Sequence, residues 1–255
     1  MQAYRVSGLG KTLALGILVS SAGWAGQITG NVSLIGTAAV AGSSIDFYNG
    51  VNCASTGPTP GAPGCFVVGG TPDGAFIGQS GTIGVVKDLS GPPTGPQFLS
   101  QFFTFPNGIS FDLTSVPFAG LPGCSSVDPT QGGISCVPSA GGPSAFRLTN
   151  GPGTGVNLAG PANTVAVQFS VTVDAYTGTK VSGFTPYVGI FTTQISNANA
   201  QTILTALAAN GGTGSFASSY SASFSPSGVP EPSTTVLFGV GLIGLALASR
   251  RFVKQ

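Results

Sequence analysis

Residues 165–173 read Val-Ala-Val-Gln-Phe-Ser-Val-Thr-Val. Val165, Val167, Phe169, Val171 and Val173 fall on one side, and Gln168, Ser170 and Thr172 on the other. A period of two residues describes a strand with one buried and one wet face, the habit of antiparallel sheet. The same period returns near both ends of the chain. Ile28, Gly30, Val32 and Leu34 oppose Thr29, Asn31 and Ser33, while Phe216, Tyr220, Ala222 and Phe224 oppose a row of serines. Between them, the runs 101–105 and 109–113 flank Pro106-Asn107-Gly108, where Asn and Gly tolerate the positive φ of a hairpin turn. Further Asn-Gly pairs at 49–50, 150–151 and 210–211 punctuate the chain in the same way. The pattern predicts a mainly antiparallel β sandwich over 26–225. One short helix is predicted over about 198–209. Ile203, Leu204 and Leu207 form its apolar face, Ser196 or Asn197 caps it, and Gly211 stops it.

Composition agrees and excludes several functions. The 255 residues include 41 Gly and 19 Pro, well above the usual combined share of about 12%, which disfavours a helical architecture. Charged residues make up 6%, where globular domains carry about 25%. Histidine is absent, so histidine triads and histidine-ligated metals are excluded. Within 26–225 the charges are Lys87, Arg147 and Lys180 against Asp46, Asp73, Asp88, Asp112, Asp128 and Asp174, a net charge of −3. No basic patch exists to neutralise phosphates, so nucleic acid is not an expected partner. The only tryptophan is Trp24, so phenylalanine supplies the aromatic core.

Both ends of the chain read as addresses rather than as fold. Arg5 and Lys11 precede an apolar run over 12–19 and a small-residue segment over 20–26. That is the order of a secretory signal peptide spanning 1–25, with Gly23 and Ala25 as the small residues before cleavage after Ala25. At the other end, a linker over 226–232 carries Val229-Pro230-Glu231-Pro232. Seventeen residues without a charge follow, 233–249, and then a basic tail, 250–255, with Arg250, Arg251 and Lys254. At helical rise the 233–249 span is about 26 Å long, enough for a short transmembrane helix, and the basic tail would stay cytoplasmic. Residues 239–244 spell G-x-G-x-x-G, but without a preceding strand or βαβ context no cofactor is expected there.

A signal peptide, a Pro-Glu-Pro triplet, an apolar span and an Arg-rich end together resemble the PEP-CTERM class of exported bacterial proteins. That resemblance covers 229–255. It implies recognition by exosortase, an integral-membrane sorting enzyme of Gram-negative bacteria. It also implies a membrane-anchored precursor that reaches the cell surface or the exopolysaccharide matrix. The middle of the chain more loosely resembles uncharacterised PEP-CTERM proteins with a Phe-rich β domain and paired cysteines, which carry no assigned activity.

Few residues offer chemistry. Four cysteines in an exported chain read as two disulfides. Three connectivities are open, and the local one, Cys53 with Cys65 and Cys124 with Cys136, is expected because it closes two Gly/Pro-rich loops. Zinc would need much shorter Cys spacings than the 12 found in both pairs. Each pair follows a similar strand, 44–47 and 110–113, and six of thirteen residues are identical between the two cysteine segments. Turn-rich loops share these residue types by chance, so the echo leaves an internal duplication open; the matching strand contexts make Asp46 and Asp112 the first carboxylates to consider for glycoside hydrolysis. No G-x-S-x-G, S-x-x-K or EF-hand loop occurs. The expected function is therefore a non-catalytic, structural or adhesive surface protein without cofactor or metal. A polysaccharide-binding module is the alternative, with Tyr48, Tyr176 and Tyr187 as sugar-stacking candidates, and a carboxylate hydrolase is the remote one.

Overall fold

The computed structural model describes residues 28–41, 44–48, 63–90, 95–138, 144–153, 161–180 and 183–228. Their strands are β1 (Val32–Ala41), β2 (Ser44–Tyr48), β3 (Gly64–Gly69), β4 (Ile83–Val86), β5 (Leu89–Ser90) and β6 (Gly95–Thr104). These are followed by β7 (Ile109–Val116), β8 (Ser135–Cys136), β9 (Arg147–Asn150), β10 (Thr164–Thr177), β11 (Thr185–Ser196) and β12 (Ser215–Pro226). One α-helix, α1 (Ala200–Gly212), joins β11 to β12. Every strand ladder among the described residues is antiparallel.

The sheet closes on itself. Strands run in the order β11-β12-β1-β3-β4-β6-β7-β10, and β10 pairs back to β11. The expected sandwich is thus an eight-stranded barrel. Alternation identifies which face of a strand is buried, and that face is the same whether it meets a second sheet or the far wall of its own. The decisive contact is the twelve-residue register of β10 on β11, from Thr164 opposite Ser196 to Ala175 opposite Thr185. No sequence period reports such a pairing.

Two long strands fork. One edge of β1 pairs with β12 over its whole length, while the other is shared between β3 at residues 33–35 and β2 at 37–40. Likewise β10 keeps β11 on one edge and divides the other between β9 at 165–168 and β7 at 172–177. The barrel is therefore closed at one end, and at the other it flares into the side ribbons β2–β5 and β9–β8.

The alternating faces land as the sequence predicts. Val165, Val167, Phe169, Val171 and Val173 are buried, as are Tyr220, Ala222 and Phe224 of β12, while its Ser215, Ser219, Ser221, Ser223 and Ser225 face outward. Aromatic rings fill the interior. Phe103 packs edge-on to Phe66, Phe111 and Phe224 and stacks on Phe191, which in turn stacks on Phe169 at 4.4 Å. A membrane barrel alternates the other way, with its apolar side outward. Among the described residues no helix is long and apolar enough to cross a membrane, and the proposed span over 233–249 lies outside them.

Local expectations need three corrections. The run at 28–34 is strand only from Val32, because Gly30 turns the chain at φ +106°. A side chain there would collide with the Asp73 carbonyl. The helix begins later than predicted, and its cap is Asn199, whose side chain accepts from the Thr202 amide while the Thr202 hydroxyl accepts from the Asn199 amide. Its last residue is Gly212 rather than a residue before Gly211. Finally, Asn150 is no turn residue. It ends β9 almost fully buried, accepts from the Ala200 amide at 2.7 Å, and donates to the Pro129 and Gln131 carbonyls.

Candidate functional site

An eight-stranded barrel either fills with its own side chains or holds one small ligand. Here the space left among Phe47, Phe146, Phe169, Phe191 and Tyr220 is only about 20 Å³. Among the described residues that space is too small for a ligand, and the candidate site lies outside it.

A concavity among the described residues sits at the fork, where β2 leaves β1 and crosses to β5. It measures about 510 Å³ and is open on one side. Ala39 and Ala41 of β1, Ile45 of β2, Leu89 of β5 and Leu99 of β6 supply apolar walls, and Ser44, Thr213 and Ser215 supply hydroxyls. Three charged residues line it, Asp46, Lys87 and Asp88. Two of these are engaged: the Lys87 ammonium donates to the Ser100 carbonyl at 2.7 Å, and Asp88 Oδ1 accepts from the Phe47 amide at 2.8 Å. Asp46 differs. Its Oδ1 is out of solvent and has no hydrogen-bond donor, and desolvation raises its pKa above the ordinary 3.8.

Asp112, the residue paired with Asp46 by the sequence echo, has other surroundings. It lies on β7, a stave of the closed barrel, whereas β2 is a side ribbon. The echo therefore does not extend to topology. Between Leu99 and Phe103 the ladder of β6 on β7 shifts register, and Gln101 takes a φ of +50°. That bulge turns both Phe102 and Phe103 inward and takes the Gln101 amide out of the ladder. Asp112 Oδ1 accepts that amide at 2.7 Å and the Tyr176 hydroxyl at 2.8 Å. Lys180 bridges Asp112 and its cross-strand neighbour Asp174 at 3.5 and 2.7 Å. Burial, then the hydrogen bond and charge of Asp112, push the Tyr176 phenol up to about 12. For Lys180, burial pulls downward, but the hydrogen bond and charge of Asp174 with the charge of Asp112 hold the ammonium above its ordinary range. This cluster is a fastening for the bulge.

The tyrosines do not form a sugar-stacking row. Tyr187 is wholly buried and donates from the closed end to the Ile28 and Gly30 carbonyls, and Tyr176 is 7% exposed. Tyr48 alone of the three is partly open. Among the described residues the exposed aromatic side chains are instead Phe98, Phe118 and Phe184, the last beneath the Lys180 ammonium. Their exposure breaks no sequence period, so nothing in the chain announced it.

The expected local disulfide between Cys124 and Cys136 is present, with both sulfurs buried. It ties the 3-10 turn at 124–126 to β8. Cys65 is also disulfide-bonded, and Cys53, its expected partner, lies outside the described residues. Ala25, Val229, Pro230, Glu231, Pro232, Arg250, Arg251 and Lys254 lie outside them as well. Among the described residues no cluster of three or more metal-ligating side chains forms.

Residues 228–251 match the PEP-CTERM protein-sorting motif, and the chain is a PEP-CTERM domain-containing protein. The motif marks it as an exported protein processed by exosortase. Neither a curated protein nor a solved structure matches the chain.

Proposed function

We propose that this PEP-CTERM protein is a non-catalytic building unit of the cell surface or the exopolysaccharide matrix, delivered as a finished barrel and detached from its sorting tail. The observation that carries the reading is a boundary. The last stave, β12, ends at Pro226, and the sorting motif begins at residue 228. β12 is paired on both edges, to β1 through ten residues and to β11 through six. Removal of the tail beyond 229 thus takes no hydrogen bond from either ladder. Composition supports residence in a matrix. With nine charges over 26–225, the barrel gains little solubility from charge repulsion, and β12 presents a serine-rich outer face. Five of its six aspartates are bound into turns, bulges and ladders, which suits a scaffold better than a hydrolase.

In this reading the 233–249 span is a transient anchor and Arg250, Arg251 and Lys254 hold its end cytoplasmic until the sorting enzyme acts near 230–232. The test is deletion of 230–232 in a host that carries exosortase, followed by cell fractionation. The parent chain should reach the surface fraction without its C-terminal span, and the deletion variant should stay full-length in the inner membrane. A deletion variant that reaches the surface normally would reject the sorting role.

A further inference from the structure

The chain enters and leaves the barrel side by side. At the start the Ile28 amide donates to the Thr185 hydroxyl at 3.1 Å, and at the finish the Ser227 amide donates to the Pro186 carbonyl at 2.9 Å. Thr185 and Pro186 open β11 at the closed end. The apolar segment 12–19 lies upstream of that point and 233–249 downstream of it. Five peptide steps separate Gly228 from Ser233, at most about 18 Å when extended. The opposite end of the barrel lies the length of β12 away, twelve residues. That is about 40 Å along the strand and still about 30 Å along the axis at the usual tilt, beyond the reach of the tether. An anchor at 233–249 therefore holds the closed end nearest the bilayer.

That end also exposes large apolar side chains. Phe184, the residue before β11, is 52% exposed, and Ile77 is 72% exposed. Ile77 follows the 3-10 turn at 74–76, which is fastened to the chain start by the Ala75 amide on the Thr29 carbonyl. Charged side chains described near them have partners. Asp73 accepts from the Asn31 amide and side chain, and Lys180 is held by Asp112 and Asp174. We propose that in the anchored precursor the barrel stands with its closed end on the bilayer, Phe184 and Ile77 dipping into the lipid interface. This rests on the reading of 233–249 as an anchor. Apolar burial supplies the attraction, since three aspartates outnumber Lys180 here and anionic headgroups would add nothing. The wall is a poorer footing, because its Ile35 and Ile190 each stand beside an outward serine of β12, Ser221 and Ser223.

The experiment is fluorescence quenching of the full chain, purified from a host without exosortase. It is reconstituted in vesicles of phosphatidylcholine and phosphatidylethanolamine, with or without bromine on the acyl chains. A Trp24→Phe background removes the only tryptophan. Four variants then each carry one reporter: Phe184→Trp, Ile77→Trp, Ile35→Trp on the wall, and Phe118→Trp just past the end of β7 remote from its 106–108 turn. Urea unfolding curves that match the parent establish that each is folded. Emission from the first two should shift to shorter wavelength on reconstitution and be lost to bromine, and emission from the last two should do neither. A chain that floats with the vesicles while Phe184→Trp and Ile77→Trp stay unquenched, or while all four are quenched alike, overturns the proposal and leaves the anchor standing. A blue shift of those two positions that appears only when exosortase shares the vesicles overturns it in favour of a protein partner. A chain that does not float with the vesicles refutes the anchor and the proposal with it.

Discussion

Single side chains in this barrel are placed where their cost or benefit is measurable. Tyr220 is buried with its hydroxyl unpartnered, over Gly36, where even a Cβ would meet the phenol ring. Leaving a buried hydroxyl unmade costs about 1–3 kcal/mol. Tyr220→Phe should therefore raise stability in urea by about 1 kcal/mol after the small loss of packing, whereas Gly36→Ala should lower it. Asp46 gives a pH-dependent counterpart. Its pKa is raised by desolvation, so folding favours the protonated form; the stability it contributes is complete below 3.8 and is lost as pH rises through the folded value. Asp46→Asn should accordingly have the higher Tm at neutral pH, and its advantage should vanish in acid. An advantage that persists below pH 3.8 would contradict the desolvation account.

At the scale of elements, polar hubs hold what alternation alone does not. Asp112 accepts the amide that the β6 bulge takes out of its ladder, and Asp112→Ala should cost about 2 kcal/mol and speed hydrogen exchange at Gln101. Asn150 joins the start of α1 to two carbonyls of the loop before β8. Asn150→Ala leaves those groups buried and unmade, with an expected loss of about 3 kcal/mol by urea unfolding. Neither hub was legible in the sequence. A bulge shows itself only when two strands are laid in register, and Asn150 before Gly151 reads as a turn because that dipeptide usually is one. The strands themselves were legible wherever hydroxyls alternate with Val or Phe, as at Val165–Val173 and in β12. The helix was legible from Ile203, Leu204 and Leu207, but not its cap, since Ser196, Asn197 and Asn199 are all capping types. The site was half legible. Asp46 was singled out by its strand context, but its pocket depends on Ala39, Leu89 and Leu99 arriving from three other strands.

At the scale of the molecule, eight of the described strands form a closed ring, and closure was not readable from periods that only mark inside and outside. Its alkaline limit follows from groups spread around the ring. Tyr176 is pushed up to about 12, burial raises Tyr187 and Tyr220 further, and Lys180 is raised by its carboxylates. Each is held in its protonated form by folding. The stability they contribute is therefore present below their ordinary values near 10 and lost as pH rises above them. Melting temperature should fall steeply between about pH 10 and 12, and in a variant with Tyr4 and Tyr48 changed to Phe the phenolate absorbance of Tyr176, Tyr187 and Tyr220 should appear together with unfolding rather than before it. Phenolate titrating at pH 10 in the folded barrel of that variant would contradict the burial of these rings. The central claim is that the ring is complete before the sorting tail begins, so that processing releases a whole barrel. Intact mass of the form recovered from the host surface tests it most directly. The account predicts a C-terminus within 229–232, with β12 present through Pro226 and Arg250 and Arg251 gone. A surface form that retains Arg250 and Arg251, or one cut within β12, would contradict it.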